Sequence, residues 1–287
     1  MRWRALTFTL GLAVVCSLST TVQGGPLIAG YSVDSPTDTL HLIDVQTGSA
    51  EPIGTGVGGY ADVEGLAFHP LTGALYGFDD ATKTLITINT KTGVGASVSG
   101  GNGNSGLPFG QTDVGLAFDR QGRLFASTSA VSPYKFYSVN PITGLFTEVS
   151  TLPQMVSGLA DAQGILYGLS EGPPAALVTI DKVSGALSVV GPLGISPDFE
   201  SGGLAHAGTD LYGLDETSGH IFLIDKATGA ASVIATIPDG SLLGFEGFAI
   251  VVTPEPSSLL VWTMLGLTAL GVCHFRRRRS LTCGNRC

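Results

Sequence analysis

Two groups of residues in this chain have types and spacing that chemistry could use. Gly168-Leu169-Ser170-Glu171-Gly172 has the spacing of a nucleophile elbow, in which a serine on a sharp strand-to-helix turn attacks a carbonyl. An elbow needs a helix after the serine, and here Pro173 and Pro174 follow. The second group is acidic. Glu64, Asp113, Glu200 and Glu246 each lie within a few residues of a recurring Gly-Leu-Ala or Gly-Phe-Ala triplet. Carboxylates gathered in one place bind hard cations such as Ca²⁺ through oxygen. The plainer reading of the same residues is solvation by loop acids.

Other chemical signals are weaker. His41, His69, His206 and His220 are scattered without metal-ligand spacing and read as structural. The glycine-rich runs 54–59 and 100–106 open no helix, so neither cradles a phosphate. The longer insert, Gly100 to Gln111, is the candidate recognition loop, because long loops on a scaffold are where binding concentrates. Residues 25–253 contain no cysteine, which excludes disulfides, cysteine-ligated zinc and thiolate catalysis there.

The elements that must position these residues are repeats. Gly-Leu-Ala or a close relative recurs at residues 65, 115, 158, 203 and 247, in steps of 43 to 50 residues. Leu-Tyr-Gly or a relative recurs about ten residues later, at 75, 124, 166 and 211, with Ile28-Ala29-Gly30 as a weaker copy. A third marker, Asp or Asn, two residues, Thr or Ser, then Gly, begins at Asp44, Asn89, Asn140, Asp181 and Asp225. It follows alternating runs such as Ile221-Phe222-Leu223-Ile224. The Asp or Asn side chain can bond the backbone two residues on, and Gly can take positive φ, which makes this a hairpin turn with a bulged glycine.

Each repeat is thus four short strands, called a to d here, in about 45 residues, the pattern of one β-propeller blade. Glycine, at 41 of 287 residues, is about twice as frequent as usual, which suits tight turns and disfavours helices. The first repeat lacks an a strand, and the segment 247–252 is an a strand with nothing after it. Placed in the first blade, it closes a ring of five. The expected fold is all-β, a five-bladed propeller sealed by its C-terminal strand. In this frame Ser170 takes the repeat position of Asp215, which accounts for it without catalysis.

Propeller topology sorts the loops onto two faces. The d–a and b–c connections collect Asp62, Glu64, Asp113, Asp198, Glu200, Asp239 and Glu246, then Asp34, Asp38, Asp79, Asp80, Glu171, Asp215 and Glu216. Their clear cations are Lys83 and Lys135. One face is expected to be strongly acidic, with Glu64 and Glu246 nearest the channel. Residues 25–253 hold seven basic against 22 acidic residues, a net charge of −15. Such a surface repels nucleic acid and anionic lipid.

The ends carry targeting signals. Arg2 and Arg4, an apolar run from Leu6 to Leu18, and small residues up to Gly25 follow the order of a secretory signal peptide, placed at 1–24. Val15 before Cys16 departs from lipoprotein signals. At the other end, Pro254-Glu255-Pro256 precedes an apolar stretch and then Arg276, Arg277, Arg278 and Arg279. A single membrane helix at about 257–275, with its arginines held in the cytoplasm, is the direct reading. The three parts together resemble the PEP-CTERM sorting tail of bacterial envelope proteins, here residues 254–287. The eight residues after the arginines, Ser280 to Cys287, make a longer end than such tails usually have. The resemblance implies recognition by an exosortase, a transient anchor, and delivery to the envelope or its exopolysaccharide.

The expected function is an exported, non-enzymatic binding or structural module of residues 25–253, with polysaccharide or an envelope protein as partner and no nucleic acid. No cofactor is required, although Ca²⁺ fits the acidic mouth. The alternative is a metal-dependent propeller hydrolase or lyase using Glu64, Asp113, Glu200 and Glu246.

Overall fold

The computed structural model describes residues 28–252 apart from 109 and 196–198. The expected signal peptide 1–24, Pro254-Glu255-Pro256, the expected membrane helix at about 257–275 and Arg276 to Arg279 lie outside the described residues, as does Asp198.

Five antiparallel four-stranded sheets make up the described residues. The second blade is β4 (Val63–Phe68), β5 (Leu75–Asp79), β6 (Thr84–Ile88) and β7 (Gly95–Ser97). The third is β8 (Val114–Phe118), β9 (Leu124–Thr128), β10 (Lys135–Val139) and β11 (Phe146–Thr151). The fourth is β12 (Gly158–Ala162), β13 (Ile165–Ser170), β14 (Ala176–Ile180) and β15 (Leu187–Pro192). The fifth is β16 (Ser201–Ala207), β17 (Asp210–Asp215), β18 (His220–Ile224) and β19 (Ala231–Thr236). The first joins both ends of the array: β1 (Ile28–Asp34), β2 (Thr39–Asp44) and β3 (Ala50–Ile53) pair in order, and β20 (Phe245–Val252) lies on β1 as the inner strand.

Closure runs the length of that pair, from Ile28 opposite Val252 to Asp34 opposite Phe245. Inside it, the buried Ser32 hydroxyl donates to the carbonyls of Gly247 (2.6 Å) and Glu246 (3.0 Å). The inner strands touch in the cyclic order β20, β4, β8, β12, β16.

Local sequence chemistry explains the blades. In all five c–d turns the glycine N–H reaches the carbonyl of the Asp or Asn four residues earlier at 2.8 Å. Those glycines, 48, 93, 144, 185 and 229, have φ between 70° and 83°. Burial grades outward. The inner strands β8 and β12 are buried throughout, while the outer strands β15 and β19 hold no buried residue. The core lies between blades, as where Phe78, Leu85, Leu116, Phe118 and Phe146 pack across the second and third.

Two details differ from the sequence expectation. A single helical turn, α1 (Gly240–Leu243), sits before β20. Four residues are too few to display a 3.6-residue period, so pattern reading passes over it. The 100–111 insert is also more anchored than a free recognition loop. Asn104 Oδ1 accepts from the Leu85 N–H at 2.8 Å and its Nδ2 donates to the Leu85 carbonyl at 3.1 Å, taking the place of a strand partner beside the short β7. Ser105 is buried and donates to the Lys83 carbonyl at 2.7 Å. Residues 100–103 are the exposed tip.

Candidate functional site: an acidic cup on the channel axis

The Gly-Leu-Ala marker is a device for packing five inner strands round one axis. A Cβ on Gly65 would collide with the Val114 carbonyl, one on Gly115 with that of Ser157, and one on Gly247 with that of Glu64. Only glycine lets neighbouring inner strands approach this closely. The next residue of each triplet, Leu66, Leu116, Leu159, Leu204 or Phe248, is 2% exposed. These five side chains line a cavity on each side of themselves and so close the channel. On the side of the d–a and b–c loops lies a cup of about 250 Å³. On the other side is a space of about 60 Å³ lined by Phe68, Phe118, Asp161 and His206, among others.

Among the described residues six carboxylates line the cup: Glu64, Asp113, Glu171, Glu200, Glu216 and Glu246, with Ser129 and Ser157. They form two tiers. The lower tier comes from the start of the inner strands. Register shifts let β4, β16 and β20 carry an extra residue there, between Val63 and Leu66, between Ser201 and Gly203, and opposite Ser32. Bulges re-aim side chains. Glu64 and Glu246 ride on two of them, and Gly247 holds φ 65°. The regular strands β8 and β12 have Val114 and Ser157 at the matching place.

The upper tier is built at the residue that follows each b strand, Ser35, Asp80, Ser129, Glu171 and Glu216, of which Ser129, Glu171 and Glu216 line the cup. The residue just before it has a different task. Asp34, Asp79 and Asp215 are buried and fold the b–c turns. Asp34 Oδ1 accepts from the Thr37 N–H at 2.8 Å, and Asp79 Oδ2 from that of Thr82 at 2.9 Å. Asp215 accepts from the Thr217 N–H at 3.1 Å and the Ser218 hydroxyl at 2.6 Å. Ser170 holds the same position at the end of β13. It is followed by strand β14 and no helix, so the elbow geometry is not formed.

All four sequence-expected cation residues therefore converge. Two closer groups form around Glu64, each adding one acid from beside the cup lining, Asp62 or Asp80. Asp62, Glu64 and Glu246 bring carboxylate oxygens within 4.8 Å of one another, and so do Glu64, Asp80 and Asp113. Glu64 belongs to both, whereas Glu200 joins neither. Asp62, Asp80, Glu171 and Glu216 were placed on the acidic face by loop sorting but not singled out as ligands. The signal for the last three was the repeat register of the position after strand b.

Crowding raises these carboxyls. Burial is the largest cause throughout, with like charge added. Glu64 is pushed well above the ordinary value, by burial and then by Glu246 and Asp80. Glu246 rises to about 8, from burial and Glu216, against a hydrogen bond from Ser35. Glu216 rises to about 7, from burial, Glu200 and Glu171. Asp80 also reaches about 7 because burial outweighs the Lys83 ammonium at 3.4 Å and the Asp113 N–H at 2.6 Å. Lys83, nearly buried, also donates to the Gln111 carbonyl at 3.1 Å.

The histidines stand apart from the cup. His41 Nε2 lies 2.9 Å from Asp34 Oδ2, and its ring meets Phe245 edge-on. His69 packs on Phe118 and Tyr76 at the far end of the strands. Lys135 bonds Glu148 at 2.6 Å on an outer strand.

A family model described as a repeat of unknown function matches residues 56–239, which begins before β4 and ends beyond β19. No curated protein matches the chain. Among solved structures, one chain from a crystal structure of a nidogen/laminin complex superposes with a TM-score of 0.53 at 12% identity, covering 79% of this chain and 100% of that one. At that identity the likeness concerns the fold alone.

Proposed function

The chain belongs to that repeat family, DUF6923, and from this premise we propose that it is an exported, non-catalytic binding module whose acidic cup takes a divalent cation. The observation that carries the reading is the convergence of six carboxylates on a closed-bottomed cup, with two oxygen-rich groups sharing Glu64. No hydrogen bond from the described residues reaches the Glu64 carboxylate. Ca²⁺ is the cation of choice because it accepts six to eight oxygens in irregular arrangements. Polysaccharide or another envelope protein is the partner in this reading, and nucleic acid is disfavoured by the charge of the domain.

Export rests on the sequence of the two ends. The segment 1–24 has signal-peptide order, and Pro254-Glu255-Pro256, the apolar stretch and Arg276 to Arg279 resemble a PEP-CTERM tail. In this reading an exosortase processes the tail, and the domain is delivered to the envelope or exopolysaccharide.

A second reading has its own support. Carboxyls raised to about 7 and 8, as at Glu216 and Glu246, are in the range useful for general acid–base work near neutrality. A metal-dependent hydrolase or lyase would use the same cup.

Calcium titration of the purified protein tests the cation site. A site saturated a hundredfold stabilises by about 2.7 kcal/mol, an easily read rise in Tm. A Tm unmoved by millimolar Ca²⁺, Mg²⁺ and Mn²⁺ would reject it. Release of product from a panel of polysaccharides in the presence of the bound metal would favour the second reading over the first.

A further inference from the structure

The two ends of the propeller leave from the same place. Ile28 pairs with Val252, and the Ile28 carbonyl accepts from the Val45 N–H at 3.1 Å, beside the Asp44–Gly48 turn. Both ends thus emerge on the face of the a–b and c–d turns, opposite the acidic cup. The membrane helix expected at about 257–275 begins five residues beyond Val252, and five extended residues span at most about 17 Å.

That turn face is unlike the cup face in two respects. The three most exposed large hydrophobics among the described residues are Val183 (84%), Ile142 (78%) and Leu71 (74%), and all three are on turn-face tips. Val94, Leu145 and Ile165 join them, whereas among the described residues of the cup face only Val131 is so exposed; Val189, Leu223, Val233 and Ile234 lie along β15, β18 and β19, on neither face. Charge divides the same way. On the turn face five cations, including Lys91 and Arg120, nearly balance six acids; on the cup face thirteen described acids stand against Lys83 and Lys135. An anionic lipid surface repels the second and tolerates the first.

We propose that the turn face docks on the lipid bilayer while the tail is in place, with Ile142, Val183 and Leu71 in the headgroup region and the cup turned away. The inference goes beyond the cation site, which it does not need, and rests on the proposal that 257–275 anchors the chain. Single turn-tip side chains in the interface hold a domain weakly, so the tether supplies proximity and the tips supply orientation.

The test uses the full chain, its four native cysteines changed to serine, reconstituted in vesicles containing anionic lipid and headgroup-level quenchers. A fluorophore is attached at Ile142→Cys, Val183→Cys or, on the cup face, Ala81→Cys. Quenching at 142 and 183 should exceed that at 81 by at least about threefold, because only probes within the interfacial ~5–10 Å meet the quencher. Adding Val183→Asp to the Ile142→Cys chain should reduce that ratio while the chain still floats with vesicles. Flotation with equal quenching at all three sites would overturn the docking and spare the anchor. A chain that fails to float removes the anchor, and the docking with it.

Discussion

Glu64 and Glu246 hold carboxylate oxygens within 4.8 Å of each other across the joint between the second and first blades. One leads into the triplet of β4 and the other into that of β20, the strand that closes the ring. The pair therefore forms only when the propeller is shut. It also sets up an electrostatic cost in the closed state, because each raises the other's affinity for a proton or a cation.

The cup should make the cation-free protein less stable as pH rises. Glu246, Glu216 and Asp80 have folded-state values of about 8, 7 and 7, above the ordinary 4.5 or 3.8. Between those limits the folded form holds protons that the unfolded chain has released. Their contribution is full below about pH 4 and is lost as pH passes through 7 and 8. Melting in chelator should show Tm falling from pH 4.5 to 8.5, and saturating Ca²⁺ should flatten the fall.

Glu64→Gln removes the carboxylate shared by both oxygen groups. In chelator at pH 8 its Tm should rise by ~3 °C, which is on the order of 1 kcal/mol for a domain of this size. The Ca²⁺-dependent rise in Tm should shrink by more than half. A variant with the wild-type calcium response would separate Glu64 from any cation site.

Asp79→Ala tests the division between turn-folding and cup-lining acids. Asp79 is fully buried and accepts from the Ala61 and Thr82 N–H groups, each at 2.9 Å, and from the Thr82 hydroxyl. Leaving buried donors unanswered should cost about 2 kcal/mol, read by denaturant melting. The Tm increment on adding Ca²⁺ should stay at the wild-type value.

Phe248→Ala opens the ring of apolar side chains below the cup. Phe248 is 2% exposed and packs against Gly30. The expected loss is about 3–5 kcal/mol, from lost burial plus the cavity left behind. Gly247→Ala should be at least as damaging, since φ is 65° and the new methyl would meet the Glu64 carbonyl. Denaturant midpoints check both.

Glu255→Gln addresses the tail. If an exosortase reads Pro254-Glu255-Pro256, the variant should accumulate as a longer, membrane-held form on immunoblots of fractionated cells, by severalfold over wild type. Unchanged processing would leave the tail as a plain anchor.

Much of the architecture was legible along the chain because each blade is a local object. A hairpin turn such as Asn140–Gly144 folds on bonds between near neighbours, and five copies of one marker reveal a period. Even the closing strand could be read, since a missing a strand at one end matched a spare one at the other. The acidic face followed from the same counting, because topology alone decides which loops share a side. The depth and grouping of the cup did not follow. Bulges at the start of β4 and β20 aim Glu64 and Glu246 inward, and a bulge is an offset between two strands, invisible in either alone. Asp79 and Asp80 are adjacent and chemically alike, yet one folds a turn and the other groups with Glu64 and Asp113, a split that strand register makes and composition cannot. Burial, which raises these carboxyls most, is likewise a property of five blades brought together rather than of any stretch of sequence.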